Sequence, residues 1–218
     1  MPFVSPAIGL ALTTILFFAG CGNASTTNQH HASGESALPA LNIHLEGDHF
    51  QFTTPASMCS AVLVAQVTIE SQGIAHWNTS TGARPATATS ANVVQNGYAI
   101  YTPVNFSGLT VSVDHRTQPT AEFATVGGQV GHDRYIINEF PQVTVGSRYV
   151  VLFAPAYNPA THATVESTLL VYDAFPITSQ GVVILQAAGS ATEPGQGQPQ
   201  PEISMPLSQL TQQLAACK

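Results

Sequence analysis

Residues 61–69 read AVLVAQVTI, and this stretch decides the fold class. Five of these nine residues are β-branched, and one of the five, Thr68, is also polar. Apolar residues occur at both odd and even positions of the segment, as expected of a strand whose two faces are both partly buried. The stretch therefore predicts a β-strand near the centre of a sheet.

Other segments of the chain follow the same period of two. Residues 97–106, 109–113, 148–153, 168–172 and 182–185 are predicted strands, and residues 43–52 are a predicted opening hairpin with Gly47 and Asp48 at its turn. Gly and Pro mark nearly every junction, and Pro103 places its strand at an edge or beside a bulge. This pattern predicts an all-β domain of about seven to eight strands, either a barrel or a β-sandwich.

The composition narrows the possible partners. Charged residues make up 8% of the 218 residues, compared with about 25% in an average soluble domain. Five Lys and Arg residues against 12 Asp and Glu residues give a net charge of -7. Because binding to phosphates needs a basic surface, nucleic acid is not an expected partner.

The N-terminal sequence resembles an export signal. Residues 8–18, IGLALTTILFF, form an apolar run that is shorter than the about 20 residues a membrane-spanning helix needs. The run leads into Phe18-Ala19-Gly20-Cys21, which resembles the bacterial lipoprotein signal, with Cys21 as the lipidation site. An ordinary secretory peptide and a short hydrophobic helix are the alternatives. The lipoprotein interpretation predicts an extracytoplasmic protein anchored to a membrane of the cell envelope.

The rest of the chain divides by composition. Residues 1–20 are the predicted signal peptide, 21–40 a polar tether, 41–187 the β-domain, and 188–203 a Pro, Gly and Gln linker. Residues 204–218 form a predicted helix, in which Leu207, Leu210 and Leu214 make one apolar stripe and Ser204 is a candidate cap. Such a stripe is expected to dock against the protein's own domain.

Two cysteines remain if Cys21 carries lipid. Cys59 precedes the first strong strand and Cys217 lies beside the C-terminus. An even number of cysteines in an exported protein favours a disulfide between them. A catalytic thiol is the alternative, although neither cysteine has a histidine in an evident local motif.

Several short motifs together resemble a group of secreted bacterial proteins of unknown function. They are Ala61 to Val67, Trp77-Asn78-Thr79, Ile100-Tyr101-Thr102, Gly127-Gly128 with Gly131, and Phe140 ahead of Val145 to Phe153. That group is similar to the netrin-like and metalloproteinase-inhibitor barrels. The resemblance implies an OB-like barrel of five strands packed by terminal helices.

The resemblance does not carry the inhibitory activity of the animal relatives. That activity depends on a free N-terminal cysteine amine that binds zinc, whereas Cys59 is internal and Cys21 is expected to be acylated. Ser107-Gly108 also stands where the bacterial group usually has Lys-Gly. Trp77 is expected to form a lid on the barrel, and Trp77, Tyr98 and Tyr101 are candidate ligand-binding residues.

Two pairs of polar residues are candidates for a metal or catalytic site. Asp114 with His115, and His132 with Asp133, would form a metal site if the two pairs met in space, but solvated turns are the simpler interpretation. His30 and His31 in the tether are an incomplete site by themselves. The chain has no serine-nucleophile elbow, HExxH motif, phosphate loop or paired CxxC, so no catalytic residue is assigned.

The leading hypothesis is a non-enzymatic, lipid-anchored binding module without a cofactor. Its expected partner, besides the membrane, is another envelope protein or an envelope polymer. A metal-dependent hydrolase that uses His115 and His132 with Asp114 and Asp133 is an alternative. A lipoprotein that captures metal through His30 and His31 is another.

Overall fold

The computed structural model describes residues 38–45, 52, 54–138, 140–186 and 202–217. The elements, in chain order, are β1 (Asn42–Leu45), α1 (Pro55–Met58), β2 (Leu63–Gln72), β3 (His76–Trp77), β4 (Ile100–Asp114), β5 (Glu122–Val126), β6 (Gly128–Val130), β7 (Asp133–Ile137), β8 (Arg148–Asn158), β9 (Ala163–Pro176), β10 (Val182–Gln186), β11 (Ile203–Pro206) and α2 (Leu207–Leu214). None of the helices in these ranges has the length and apolar character needed to cross a membrane.

Five strands close into a barrel. β2 pairs with β8, β8 with β9, β9 with β5 and β5 with β4, and β4 returns to pair with β2. The β5–β9 pair is parallel and the other four are antiparallel. In chain order, the five ring strands are β2, β4, β5, β8 and β9. Numbered 1 to 5 in that order, they follow one another around the ring as 1-2-3-5-4-1, which is the order of an OB barrel. The predicted OB-like all-β barrel is therefore confirmed, and the β-sandwich alternative is wrong.

β2 is buried on both faces, as its sequence predicts. Leu63, Ala65 and Val67 belong to one apolar cluster with Phe153 of β8. Val64 belongs to a second cluster, which contains Leu210 and Leu214 of α2 and Val183 of β10. Because helix α2 covers this second cluster, β2 has no solvent-facing side along its first half.

The C-terminal helix docks where the apolar stripe indicates. Leu210 and Leu214 are 0% and 1% exposed, and the disulfide joins Cys217, just beyond the helix, to Cys59, just after α1. The prediction of Ser204 as the helix cap is wrong. Ser204 lies on β11 and pairs with Ile184 of β10, so the helix begins after Pro206 without a side-chain cap.

A separate sheet of three strands lies outside the ring in the order β1, β7, β6. β1 pairs in parallel with β7, so Ile43 is opposite Tyr135. The prediction that β1 begins a hairpin stays a prediction, because a strand that pairs with β7 along one edge can still pair along its other edge. The proposed turn at Gly47 and Asp48 and most of the second strand lie outside the described residues.

β4 is one strand where the sequence predicts two. Gly108 has a φ of +64°, a conformation that glycine adopts without steric cost, and the strand continues through it. Pro103 lies where the pairing of β4 with β5 gives way to its pairing with β2. β4 can therefore serve two neighbours in succession.

Candidate functional site

A cleft of about 360 Å³ opens beside β3, β4 and the β8–β9 hairpin. Five segments contribute to it: the connection between β2 and β4, the start of β4, the start of β5, the end of β8 with the turn that follows it, and β9. The side chains used in the argument below are His76, Tyr98, Tyr101, Glu122 and Tyr157. Polar groups from Asn78, Ser80 and Asn158 complete the rim.

Asn78 holds the connection that forms one wall. Its Nδ2 donates to the carbonyl oxygens of Gly97, at 2.9 Å, and Tyr157, at 3.3 Å. Its Oδ1 accepts from the backbone N–H of Ala99 at 2.8 Å. The Asn78 side chain thus links the turn after β3 to the residues just before β4 and to the end of β8. It therefore positions this wall, and its amide atoms are already hydrogen-bonded within the protein.

Tyrosine side chains form the aromatic part of the cleft. Tyr101 is 5% exposed, and its hydroxyl donates a long hydrogen bond of 3.5 Å to the carbonyl oxygen of Tyr157. Burial raises the pKa of Tyr101 above its ordinary value. The Tyr157 hydroxyl lies 3.1 Å from His162 Nδ1. A phenol with the ordinary pKa near 10 is uncharged in the neutral range, and the raised pKa of Tyr101 extends the uncharged state further into alkali.

His76 and Glu122 are an ionisable pair at the cleft. His76 Nε2 lies 3.3 Å from Glu122 Oε2, and His76 Nδ1 lies 3.0 Å from the carbonyl oxygen of Trp77. Both side chains are about one-third exposed, at 32% and 31%. The pair therefore borders solvent, where a ligand can reach it.

Trp77 lies beneath this site and does not line the cleft. It is fully buried in a cluster with Ile100, Tyr101 and Tyr135, so it is a core residue and not a lid. Its Nε1 has no hydrogen-bond partner among the described residues. Of the three candidate ligand-binding residues, the structure brings only Tyr98 and Tyr101 to the cleft.

The first proposed metal pair is used for local structure. Arg116 Nη2 lies 2.7 Å from Asp114 Oδ2, and this side-chain hydrogen bonding lowers the pKa of Asp114 to about 2. His115 Nε2 lies 3.0 Å from the carbonyl oxygen of Cys59. Asp114 is therefore neutralised by an arginine, and His115 caps a backbone carbonyl.

The second proposed metal pair is also divided. Asp133 pairs with Arg84 at 3.0 Å and is buried, whereas His132 is exposed. Within the described parts of the chain, no group of three or more His, Cys, Asp or Glu side chains is placed to hold a metal ion. The convergence of Asp114, His115, His132 and Asp133 that the alternative metal site requires therefore does not occur. Cys21, His30 and His31 lie outside the described residues.

Sequence reasoning missed His76, Glu122 and Tyr157. His76 and Glu122 are 46 positions apart and Tyr157 lies at the end of a strong strand, so no local spacing links them. The available signal was the adjacency of His76 to the single tryptophan. No protein-family model matches the chain, and the searches of curated proteins and of solved structures gave no significant match either.

Proposed function

We propose that this protein is a non-enzymatic binding module that holds a ligand of the cell envelope in the cleft between β3, β4 and the β8–β9 hairpin. The observation that carries the proposal is the cleft itself. It gathers tyrosines and hydrogen-bonding groups from five separate segments into a volume of about 360 Å³. That volume lies within the range of small-molecule sites, about 300–1,000 Å³.

The position of the cleft on the barrel supports the proposal. OB barrels bind ligands at their second and third strands and at the connections between strands one and two and strands four and five. Here those strands are β4 and β5, and the connections are residues 73–99 and 159–162. Each of these four regions contributes to the cleft. This support is an analogy between folds.

The charge of the cleft selects against anionic ligands. Among the described residues that line it, Glu122 is an acid and none is Lys or Arg. The whole chain carries a net charge of -7. A polyphosphate backbone would meet repulsion both at a distance and at the site.

The proposal includes anchoring through lipid on Cys21 at the outer face of a membrane. It is supported by the apolar run 8–18, which is followed by two small residues and a cysteine. Replacing Cys21→Ser in the full chain should move the protein from the membrane fraction to the soluble extracytoplasmic fraction. Recovery of the variant in the membrane fraction would count against lipid anchoring.

Site-specific photo-cross-linking in cells tests the binding role. A photoreactive amino acid at Ser80, which is exposed on the rim, should give a discrete adduct. The same group at Glu70, which is exposed on β2 and does not line the cleft, is the matched control. Equal adducts at the two positions, or none at Ser80, would contradict the proposal.

A further inference from the structure

His76 makes two contacts that a neutral imidazole cannot satisfy together. Its Nδ1 faces the carbonyl oxygen of Trp77 at 3.0 Å, and its Nε2 faces a carboxylate oxygen of Glu122 at 3.3 Å. Both partners accept hydrogen bonds, whereas a neutral imidazole has a single N–H. With Glu122 ionised, only the imidazolium form donates to both.

Besides Glu122, the titratable groups around His76 among the described residues are tyrosines and one further histidine. Tyr101 of β4 is opposite His76 in the strand register, while Tyr98 and Tyr157 face the same cleft and His162 lies behind Tyr157. Among the described side chains that line the cleft, none is Lys or Arg. Among the described side chains that line the cleft, His76 is therefore the group that can act as the counter-ion of Glu122 when its ring is protonated.

We propose that Glu122 binds a primary ammonium group of the ligand, and that protonated His76 competes for the same carboxylate. This inference rests on the proposed function of the cleft and specifies the ligand chemistry. The carboxylate provides the charge, and the tyrosine-lined walls suit an organic cation because aromatic rings attract cations. The net charge of -7 also favours the approach of a cation.

The competition makes binding depend on pH. Histidine changes its charge between about pH 5 and pH 8. When an ammonium group replaces His76 at Glu122, His76 keeps the N–H that donates to the Trp77 carbonyl and releases its Nε2 proton to solvent. Affinity should therefore rise with pH by at most about tenfold per pH unit in the acidic range, and level off once His76 is neutral.

The experiment measures amine binding to the full lipidated chain in a non-ionic detergent. The probes are cadaverine and acetyl-lysine amide, titrated between pH 5 and pH 8 by calorimetry, with the fluorescence of Trp77 as a second readout. Repeating the titration in buffers of different ionisation enthalpy should show about one proton released per amine bound at pH 5 and none at pH 8.

Variants separate the two members of the pair. Glu122→Gln should weaken amine binding by about tenfold at pH 8, since a hydrogen bond to a charged group is lost. Glu70→Gln makes the same change of charge away from the cleft and should bind as the parent does. His76→Asn keeps a donor for the Trp77 carbonyl without a titrating ring, so its affinity should not change between pH 5 and pH 8.

The source of the ammonium group follows from the two probes. Tighter binding of acetyl-lysine amide indicates a polypeptide lysine, and equal or tighter binding of cadaverine indicates a small amine. Either result supports the inference. Amine binding that is unaffected by Glu122→Gln, pH-independent in the parent or absent would overturn it.

The inference can fail while the broader proposal survives. If the Ser80 adduct forms but neither amine binds, the cleft is a binding site for another kind of ligand. A neutral N-acetylglucosamine oligomer that binds equally well in the parent and Glu122→Gln, without competition from cadaverine, would have the same meaning. Absence of the Ser80 adduct would instead contradict the proposed function.

Discussion

Arg84 Nη1 lies 3.0 Å from Asp133 Oδ1, and this ion pair joins three segments that are distant in sequence. Asp133 Oδ1 also accepts from the backbone N–H of Leu41 at 2.9 Å. Arg84 further donates to the carbonyl oxygens of Pro39, at 2.7 Å, and Ala88, at 3.0 Å. The pair therefore fixes the start of the domain against β7 and against the long connection before β4.

Removing one member of this pair should destabilise the fold strongly. Asp133→Ala leaves the Arg84 guanidinium, 13% exposed, without its carboxylate. Loss of one partner from a buried pair costs about 3–5 kcal/mol. Chemical denaturation should show a decrease of about 3 kcal/mol in the free energy of unfolding.

Asp114→Ala is the matched control for Asp133→Ala. It also removes an aspartate that pairs with an arginine, but the Asp114 side chain is 39% exposed. Exposed pairs contribute less than about 1 kcal/mol. Equal losses in the two variants would contradict the structural role given to the Arg84–Asp133 pair.

The Cys59–Cys217 disulfide should stabilise the folded chain chiefly by restricting the unfolded one. The two cysteines are 158 positions apart, and the chain-entropy model gives about 5 kcal/mol for a loop of this length. Replacing both cysteines with serine should lower the free energy of unfolding by up to this amount. Dithiothreitol should destabilise the parent and leave the double variant unchanged, whereas an equal effect on both would contradict the link.

Gly97 lets Tyr157 form the wall of the cleft. Gly97 has a φ of +70°, and a Cβ added there would overlap Cε1 of the Tyr157 ring. Gly97→Ala should therefore displace the Tyr157 ring. We expect fewer cross-links from Ser80. The backbone strain of an alanine at this φ costs about 1–2 kcal/mol by itself, so the total loss of stability should be larger than that.

Gly108→Ala supplies the control for that strain. Gly108 has a similar φ of +64°, but a Cβ there would meet no atom within 4 Å. This variant should show the backbone cost and normal cross-linking at Ser80. If both alanine variants behaved alike in denaturation and cross-linking, the contact between Gly97 and Tyr157 would not support the cleft.

Tyr135 should make the fold sensitive to alkali. Burial raises the pKa of Tyr135 to about 12 in the folded protein, whereas the unfolded chain loses the phenolic proton near pH 10. The folded state therefore holds more protons between these values, and the free energy of unfolding should fall as pH rises from about 10 to 12.

Tyr135→Phe tests this expectation. The variant lacks the titrating phenol, so its loss of stability between pH 8 and pH 11 should be smaller than that of the parent. Comparing each protein with itself at pH 8 removes any difference in packing. Parallel losses in the parent and the variant would show that Tyr135 does not contribute to the alkaline transition.

Local periodicity was sufficient where one element buries a continuous face. The β-branched residues before Ile69 and the stripe through Leu210 and Leu214 both occupy the elements that they predict. Local periodicity failed where pairing with a distant segment decides the local structure. Ser204 can cap a helix in principle, but pairing with Ile184 places it on a strand.

The ring strand with the weakest sequence pattern, β5, is the one that completes the barrel. Residues 122–126, EFATV, form β5, which pairs with β4 on one side and in parallel with β9 on the other. The five-residue strand has little periodicity to detect. Its stability depends on two neighbours, so it was not predicted although it completes the barrel.

By itself, the sequence determined the all-β class and the apolar stripe of the terminal helix, and it favoured a pair between Cys59 and Cys217, the two cysteines that remain if Cys21 carries lipid. These follow from residue type and short spacing. Only the tertiary structure decided that Trp77 lies in the core and that His76 meets Glu122. The physical reason is that ring closure brings together strands that are far apart in the chain, and side-chain contacts between such strands leave no periodic trace in either segment.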